Sequence, residues 1–322
     1  MFRKLSLGLA SMALLSGSLP VSAGDATAEG LGVMSINFKD VVKPSFGVQG
    51  ALQGAGTPNF AGAGVFIPFG VTNNSLWFVD AMANYDFADR HNYSSIVDTT
   101  IKGGTISTST RVGYRWLNND FSALYGLSVG YDSRPTSSGY ADSGVEVEDG
   151  YAFFQQVAVN AHATLGKFNL DAYGLVPFGE TTQELNWNYN AGALTTWGGD
   201  IGYEVFPNLS VSVGGYYQTG DYNKCLGGNE VDGYGYRAAI NYALTDSFNL
   251  EASLSHDEDF DTRYVAGFTY RFVKDQIKLN RDSVSPALRA ALSSPSQRIV
   301  RLHDPAGCPP GGYVQYGGRR RR

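Results

Sequence analysis

The sequence predicts an all-β fold: an antiparallel transmembrane β-barrel of about twelve strands, with a short C-terminal helix and linker after it. Three observations predict it. The N-terminus reads as a secretory leader. From Phe46 to Phe272 apolar and polar residues alternate at period two. The polar face of that alternation carries charges, and the apolar face carries aromatics near segment ends.

The leader spans residues 1–23. Arg3 and Lys4 form a positive n-region, Leu5 to Leu15 an apolar h-region, and Val21-Ser22-Ala23 a small-residue cleavage site. The apolar run is shorter than the ~20 residues that a membrane-spanning helix needs. Residues 1–23 are therefore expected to be a signal peptide, and 24–45 a periplasmic N-terminal segment.

Composition fits the same destination. The 322 residues contain 17% charged and 13% aromatic residues, with 40 Gly and 20 Tyr. Charge is low against a usual ~25%. Strands that alternate apolar and polar keep mean hydropathy near neutral, and here it is -0.18. The net charge of -6 argues against nucleic acid as a partner. Two cysteines are too few for a disulfide framework, although one bridge is open to them.

The strands start near Phe46, Phe60, Leu76, Thr105, Phe121, Tyr151, Phe168, Trp197, Leu209, Gly233, Phe248 and Arg263. The clearest runs from Gly233 to Leu244. Tyr234, Tyr236, Ala238, Ile240 and Tyr242 share one face; Gly235, Arg237, Ala239 and Asn241 share the other. Likewise Val157, Val159 and Ala161 oppose Ala158, Asn160 and His162, and Phe168, Leu170 and Ala172 oppose Asn169, Asp171 and Tyr173. An even strand count returns both barrel ends to one side.

Connections alternate in length. Short ones lie at 70–74, 118–120, 166–167, 207–208 and 245–246. Long polar ones lie at 88–104, 133–150, 179–196 and 219–232. Outer-membrane barrels have short periplasmic turns and longer outer loops, so the long connections are expected to be surface-exposed. The competing fold is a soluble sandwich or lipocalin-like barrel, in which the apolar face points inward. Against it, the polar face holds Arg111, Arg115, Asp171, Asp200, Glu204, Arg237, Glu251, Arg263 and Arg271, which a membrane barrel would turn to its lumen. Trp116, Trp197 and Phe206 occupy girdle positions on the other face.

Four ordered blocks carry a family resemblance. They are Phe66-Ile67-Pro68-Phe69 with Ser75-Leu76-Trp77-Phe78-Val79-Asp80; Arg111 to Arg115; Gly126 to Arg134; and Leu170 to Gly179. Gly199 to Glu204 and Gly215-Tyr216-Tyr217 follow in order. The set resembles the β-domain of inverse autotransporters, the intimin and invasin family. The resemblance implies a twelve-stranded barrel, a periplasmic N-terminal end, and a plug helix whose linker leads a passenger to the cell surface.

Residues 273–303 match that helix and linker. Ser285 is a candidate cap, Pro286 suits the first turn, and the stretch to Leu292 through Leu288 holds mostly good helix formers. The alternative is a periplasmic tail that folds back. Residues 304–322 read as a disordered basic tail, so the family's long passenger is not expected here. If the tail threads the pore, Cys225 and Cys308 both lie outside and can pair; if it stays periplasmic they cannot meet.

No catalytic constellation, cofactor site or metal site is expected. His162 lies two residues from Thr164 on the polar face, where a lumenal hydrogen bond is its expected role. The stretch His256 to Asp261 is acidic but lacks the glycine and spacing of a calcium loop, so a solvated acidic loop is expected. The predicted function is an outer-membrane translocator passing or displaying its own short C-terminal segment. A small-solute channel is the alternative, and a hydrolase is weakly supported. Expected partners are outer-membrane lipid, barrel-assembly machinery and a cell-surface ligand of unknown kind.

Overall fold

A computed structural model describes residues 38–53, 59–87, 100–101, 104–139, 151–186, 189–222, 229–257, 261–273, 285–287 and 290. The expected signal peptide, most of the expected N-terminal segment, Cys225, Leu288, Leu292 and the tail from 291 onward, including Cys308, lie outside them.

Twelve described strands close into one antiparallel barrel. They are β1 (Ser45–Gln53), β2 (Phe60–Phe69), β3 (Ser75–Asp86), β4 (Thr105–Leu117), β5 (Ala123–Gly139), β6 (Tyr151–Leu165), β7 (Phe168–Pro177), β8 (Thr195–Phe206), β9 (Leu209–Tyr222), β10 (Asn229–Ala243), β11 (Phe248–Asp257) and β12 (Asp261–Val273). Each pairs with the next, and β12 pairs with β1, placing Val273 opposite Ser45 and Thr269 opposite Gln49. A short helix, α1 (Phe38–Val41), precedes β1. Outside the barrel ring, Thr100–Ile101 pairs with the end of β5, and Thr182–Asn186 forms a hairpin with Tyr189–Gly192. No helix among the described residues is long and apolar enough to cross a membrane.

Period-two patterning decides which way each strand faces. On β3, Leu76, Phe78, Asp80, Met82, Asn84 and Asp86 are buried, while Trp77 and Tyr85 between them are exposed. Ile201 is 58% exposed and Val213 65%, with inward Asp200 and Gly214 beside them. Large apolar side chains exposed all round a barrel, with charges inside, invert the soluble pattern. They form the apolar band that lipid requires.

The short connections are where the sequence places them, with small shifts. Gly166 takes a left-handed φ of 55° in the two-residue turn after β6. The turn before β5 is longer than expected. Phe121 is not a strand residue: it has a φ of 58°, and its N–H donates to the Asn118 carbonyl at 3.1 Å. Asn118 Oδ1 then accepts from the Ala123 N–H at 2.9 Å, which starts the strand two residues late. The opposite ends differ more. β5 continues to Gly139, and β9 and β10 extend to Tyr222 and back from Asn229, so two of the expected long loops are shorter.

Candidate functional site: the barrel lumen

The inward face of the twelve strands forms the site. One network surrounds Asp132, which is fully buried. Arg111 donates to it from both ends of its guanidinium, Nη1 to Oδ1 at 2.5 Å and Nη2 to Oδ2 at 2.8 Å. Ser109 Oγ donates to Oδ1 at 2.6 Å, and Gln156 Nε2 to Oδ2 at 2.8 Å. Charge-assisted bonds of this kind are about twice as strong as neutral ones. Arg111 reaches across Gly130, where any Cβ would stand 2.6 Å from its Cδ.

Glycine opposite a large inward side chain recurs around the wall. Phe78 lies against Gly113, Tyr173 against Gly198 and Tyr216 against Gly235. Asp200 on β8 and Arg237 on β10 meet across Gly214 of β9; Arg237 Nε donates to Asp200 Oδ1 at 3.1 Å, and Nη2 bonds Oδ2. A Cβ at Gly214 would collide with the Asp200 carboxylate. Ala158, Tyr173, Leu175 and Tyr216 form a buried apolar cluster, and the Arg237 guanidinium sits 5.8 Å from the Tyr173 ring centre.

Other expected lumenal residues take these places. Arg115 lies over the Phe78 ring at 5.2 Å. Asp171 accepts from, or pairs with, His162 Nδ1 at 2.8 Å, and His162 Nε2 lies 3.0 Å from Thr164 Oγ1. Thr164 is nearly fully buried and donates to Asn169 Oδ1 at 2.8 Å. Arg263 bonds Asp257 at 2.5 Å and the Tyr216 hydroxyl at 3.1 Å, and that hydroxyl donates to Asp257 at 2.6 Å. Glu204 stands opposite Ser210, Glu251 between Asn241 and Gly267, and Arg271 opposite Gly47.

Sequence reasoning missed several members. Asp132 and Tyr216 fall inside blocks of the family resemblance and Gln156 in none, yet only parity on the polar face marks any of the three as lumenal. Asp257 corrects the expected solvated acidic loop. It ends β11 and is buried beneath Tyr216 and Arg263, because the strand runs two residues further than the acidic composition suggests. Among the described residues no group of three His, Cys, Asp or Glu is arranged to hold a metal ion.

Chain segments on both sides of the barrel dock at its short-turn end. The Phe38 N–H of α1 donates to the Asn73 carbonyl at 3.0 Å, and Phe38 and Val42 are buried. Ser285 Oγ donates to the Phe121 carbonyl at 3.1 Å, and Ala287 is fully buried. In the same turn, the Ser122 hydroxyl donates to Asp120 at 2.9 Å and holds its carboxyl below the usual range.

The profile of the outer membrane beta-barrel porin family MtrB/PioB matches residues 79–276, from β3 past the end of β12. The chain belongs to that family. Its place is therefore the outer membrane, as a porin-like β-barrel. No curated protein matches it. A membrane protein solved in work on in-meso crystallization is 11% identical, with a TM-score of 0.52 over 78% of this chain and 90% of that one, and shares the fold. An outer membrane channel from Pseudomonas putida F1 is 15% identical, with a TM-score of 0.47 over 78% of this chain and 100% of that one. The translocator domain of autotransporter NalP from Neisseria meningitidis is 12% identical, with a TM-score of 0.41 over 84% and 98%.

Proposed function

We propose that this MtrB/PioB-family barrel is a non-enzymatic channel for small polar solutes, with its short-turn mouth stoppered by α1 and the segment around Ser285. One observation carries the reading. The Asp200–Arg237 pair lies along the wall over Gly214 instead of reaching towards the axis. Charges neutralised against the wall keep the lumen polar while leaving its centre to water. The outward apolar band meets outer-membrane lipid, and barrel-assembly machinery inserts it; a cell-surface ligand would meet the long-loop end.

A second reading has the barrel pass its own C-terminal segment, as the inverse-autotransporter resemblance implies. The bond from Ser285 to Phe121 favours it, since the segment after β12 returns to the barrel mouth.

Planar-bilayer recording tests the first reading, with the full chain compared against a chain lacking residues 274–322. Steady current, larger after the deletion, is expected. Silence from both forms would sink the channel. Protease access to the C-terminus on intact cells tests the second: a tail protected until the outer membrane is opened would rule out threading.

A further inference from the structure

The short-turn rim of the lumen is divided by chemistry. On β3, β4 and β5 the last inward residues are Leu76, Leu117 and Leu124, with Leu117 directly opposite Leu124. All three are fully or almost fully buried. On β7, β8, β9, β11, β12 and β1 the inward residues at this end are Asn169, Glu204, Ser210, Asn249, Arg271 and Ser45, and each keeps some exposure. Leucines turned to a wet mouth would be exposed. These are covered, so their sector of the rim is dry.

The helix α1 is anchored at that sector. The Asn73 carbonyl accepts the Phe38 N–H, and the carbonyl of the next residue, Asn74, accepts the Leu117 N–H at 2.8 Å. α1 is thus tied to the turn that leads into Leu76 and borders Leu117. Phe38 and Val42 are buried, while Lys39 is exposed. Among the described residues, Phe38 is the largest fully buried side chain outside the barrel strands. Ala287, from the other docked segment, offers far less apolar surface.

α1 is also free to move as a unit. A single helical turn does not persist in water by itself, so α1 is helical only while seated. No barrel ladder uses a residue before Ser45, and Lys43 and Pro44 are the link between Val42 and β1. α1 can therefore leave its seat without breaking any strand pairing.

Resting on the channel reading, we propose that α1 is the gate of the short-turn mouth, and that Phe38, seated against the leucine sector, holds it shut. Undocking turns the leucines to water and wets the dry sector; reseating buries them again and drives the water out, as in apolar constrictions that gate by dewetting.

The test joins planar-bilayer recording to tryptic cleavage of the Lys39–Asp40 bond on α1, both on the full chain. Phe38→Ser is expected to raise the mean current severalfold and to speed that cleavage. Phe38→Leu, which keeps an apolar side chain, is expected to stay near the unsubstituted values, and Asn249→Ala, on the polar part of the rim, to leave the cleavage unchanged. Faster cleavage with an unmoved current overturns the gate, because α1 then undocks without opening anything, and leaves the channel standing. Unmoved cleavage overturns Phe38 as the residue that holds α1. Loss of heat-modifiable folded barrel in Phe38→Ser also overturns the gate, since the residue then belongs to the scaffold. Silence from the unsubstituted chain, from Phe38→Ser and from the chain lacking 274–322 overturns gate and channel together.

Discussion

Arg111 and Asp132 form a two-pronged ion pair between β4 and β5, and neither side chain reaches solvent to any extent. The pair is held in line by Ser109 and Gln156, so the carboxylate has a donor for each lone-pair direction in use. Such a pair is costly to break from one side, because the partner is left charged and buried.

Asp132→Asn is therefore expected to destabilise the folded barrel by about 3–5 kcal/mol. The Asp171 carboxylate is half exposed beside His162, so Asp171→Asn is expected to cost about 1 kcal/mol or less. Urea unfolding of the barrel in detergent compares the two. Equal losses would refute the difference in environment.

Glycines opposite inward side chains predict a second contrast. A Cβ at Gly130 would stand 1.9 Å from the Thr110 carbonyl oxygen, a backbone atom that cannot swing aside. At Gly215, on the outer face of β9, the nearest atom would be 3.6 Å away. Gly130→Ala is expected to abolish or greatly reduce folded barrel, and Gly215→Ala to leave the yield unchanged. Heat-modifiable migration on gels reads both.

Facing predicts a third. Ile201 and Ser212 lie at neighbouring levels on β8 and β9, Ile201 outward and Ser212 inward. Ile201→Arg places a cation in lipid and is expected to cost about 2–4 kcal/mol at mid-membrane depth. Ser212→Arg places it in a polar lumen and is expected to spare the fold while reducing current. If both variants were equally destabilised in liposomes, the assignment of faces would be wrong.

The turn before β5 gives a pH dependence. Its bond from Ser122 holds Asp120 below its usual pKa, so the ionised carboxylate is favoured in the folded turn. Stability from this bond is present above the unfolded carboxyl's pKa and is lost as pH falls through the folded one. Exchange of the Ser122 amide hydrogen is expected to speed up as pH drops through that range, relative to Asp120→Asn, after correction for intrinsic rates. Identical corrected profiles would remove Asp120 from the account.

The alternation of Val157 to Ala163 and of Tyr234 to Tyr242 made strands and facing legible, because a lipid-exposed strand must put apolar groups on every second residue. Lengths were less legible. Beyond the hydrocarbon layer, pairing in β5 and β10 continues without any need for apolar side chains, so stretches such as Arg134 to Gly139 carry no periodic mark. Phe121 has the apolar character of a strand residue, yet local turn bonds fix it in a left-handed conformation. The lumenal networks were legible only as parity. Which glycine accommodates which side chain depends on cross-strand register, and that is set by distant chain segments.

The seam between Ser45 and Val273 joins residues at opposite ends of the described barrel. Until β12 is in place, β1 presents a bare row of amides and carbonyls, and so does the growing far edge. Eleven strands make an open sheet whose two borders must be kept from other chains and from lipid, where unpaired backbone groups cost several kcal/mol each. Closure thus depends on the last thirteen barrel residues, which alone supply the partner for β1 on that side. A chain cut short before Asp261 would lose the cylinder as a whole, because no smaller ring is available to the registers that the remaining strands already share.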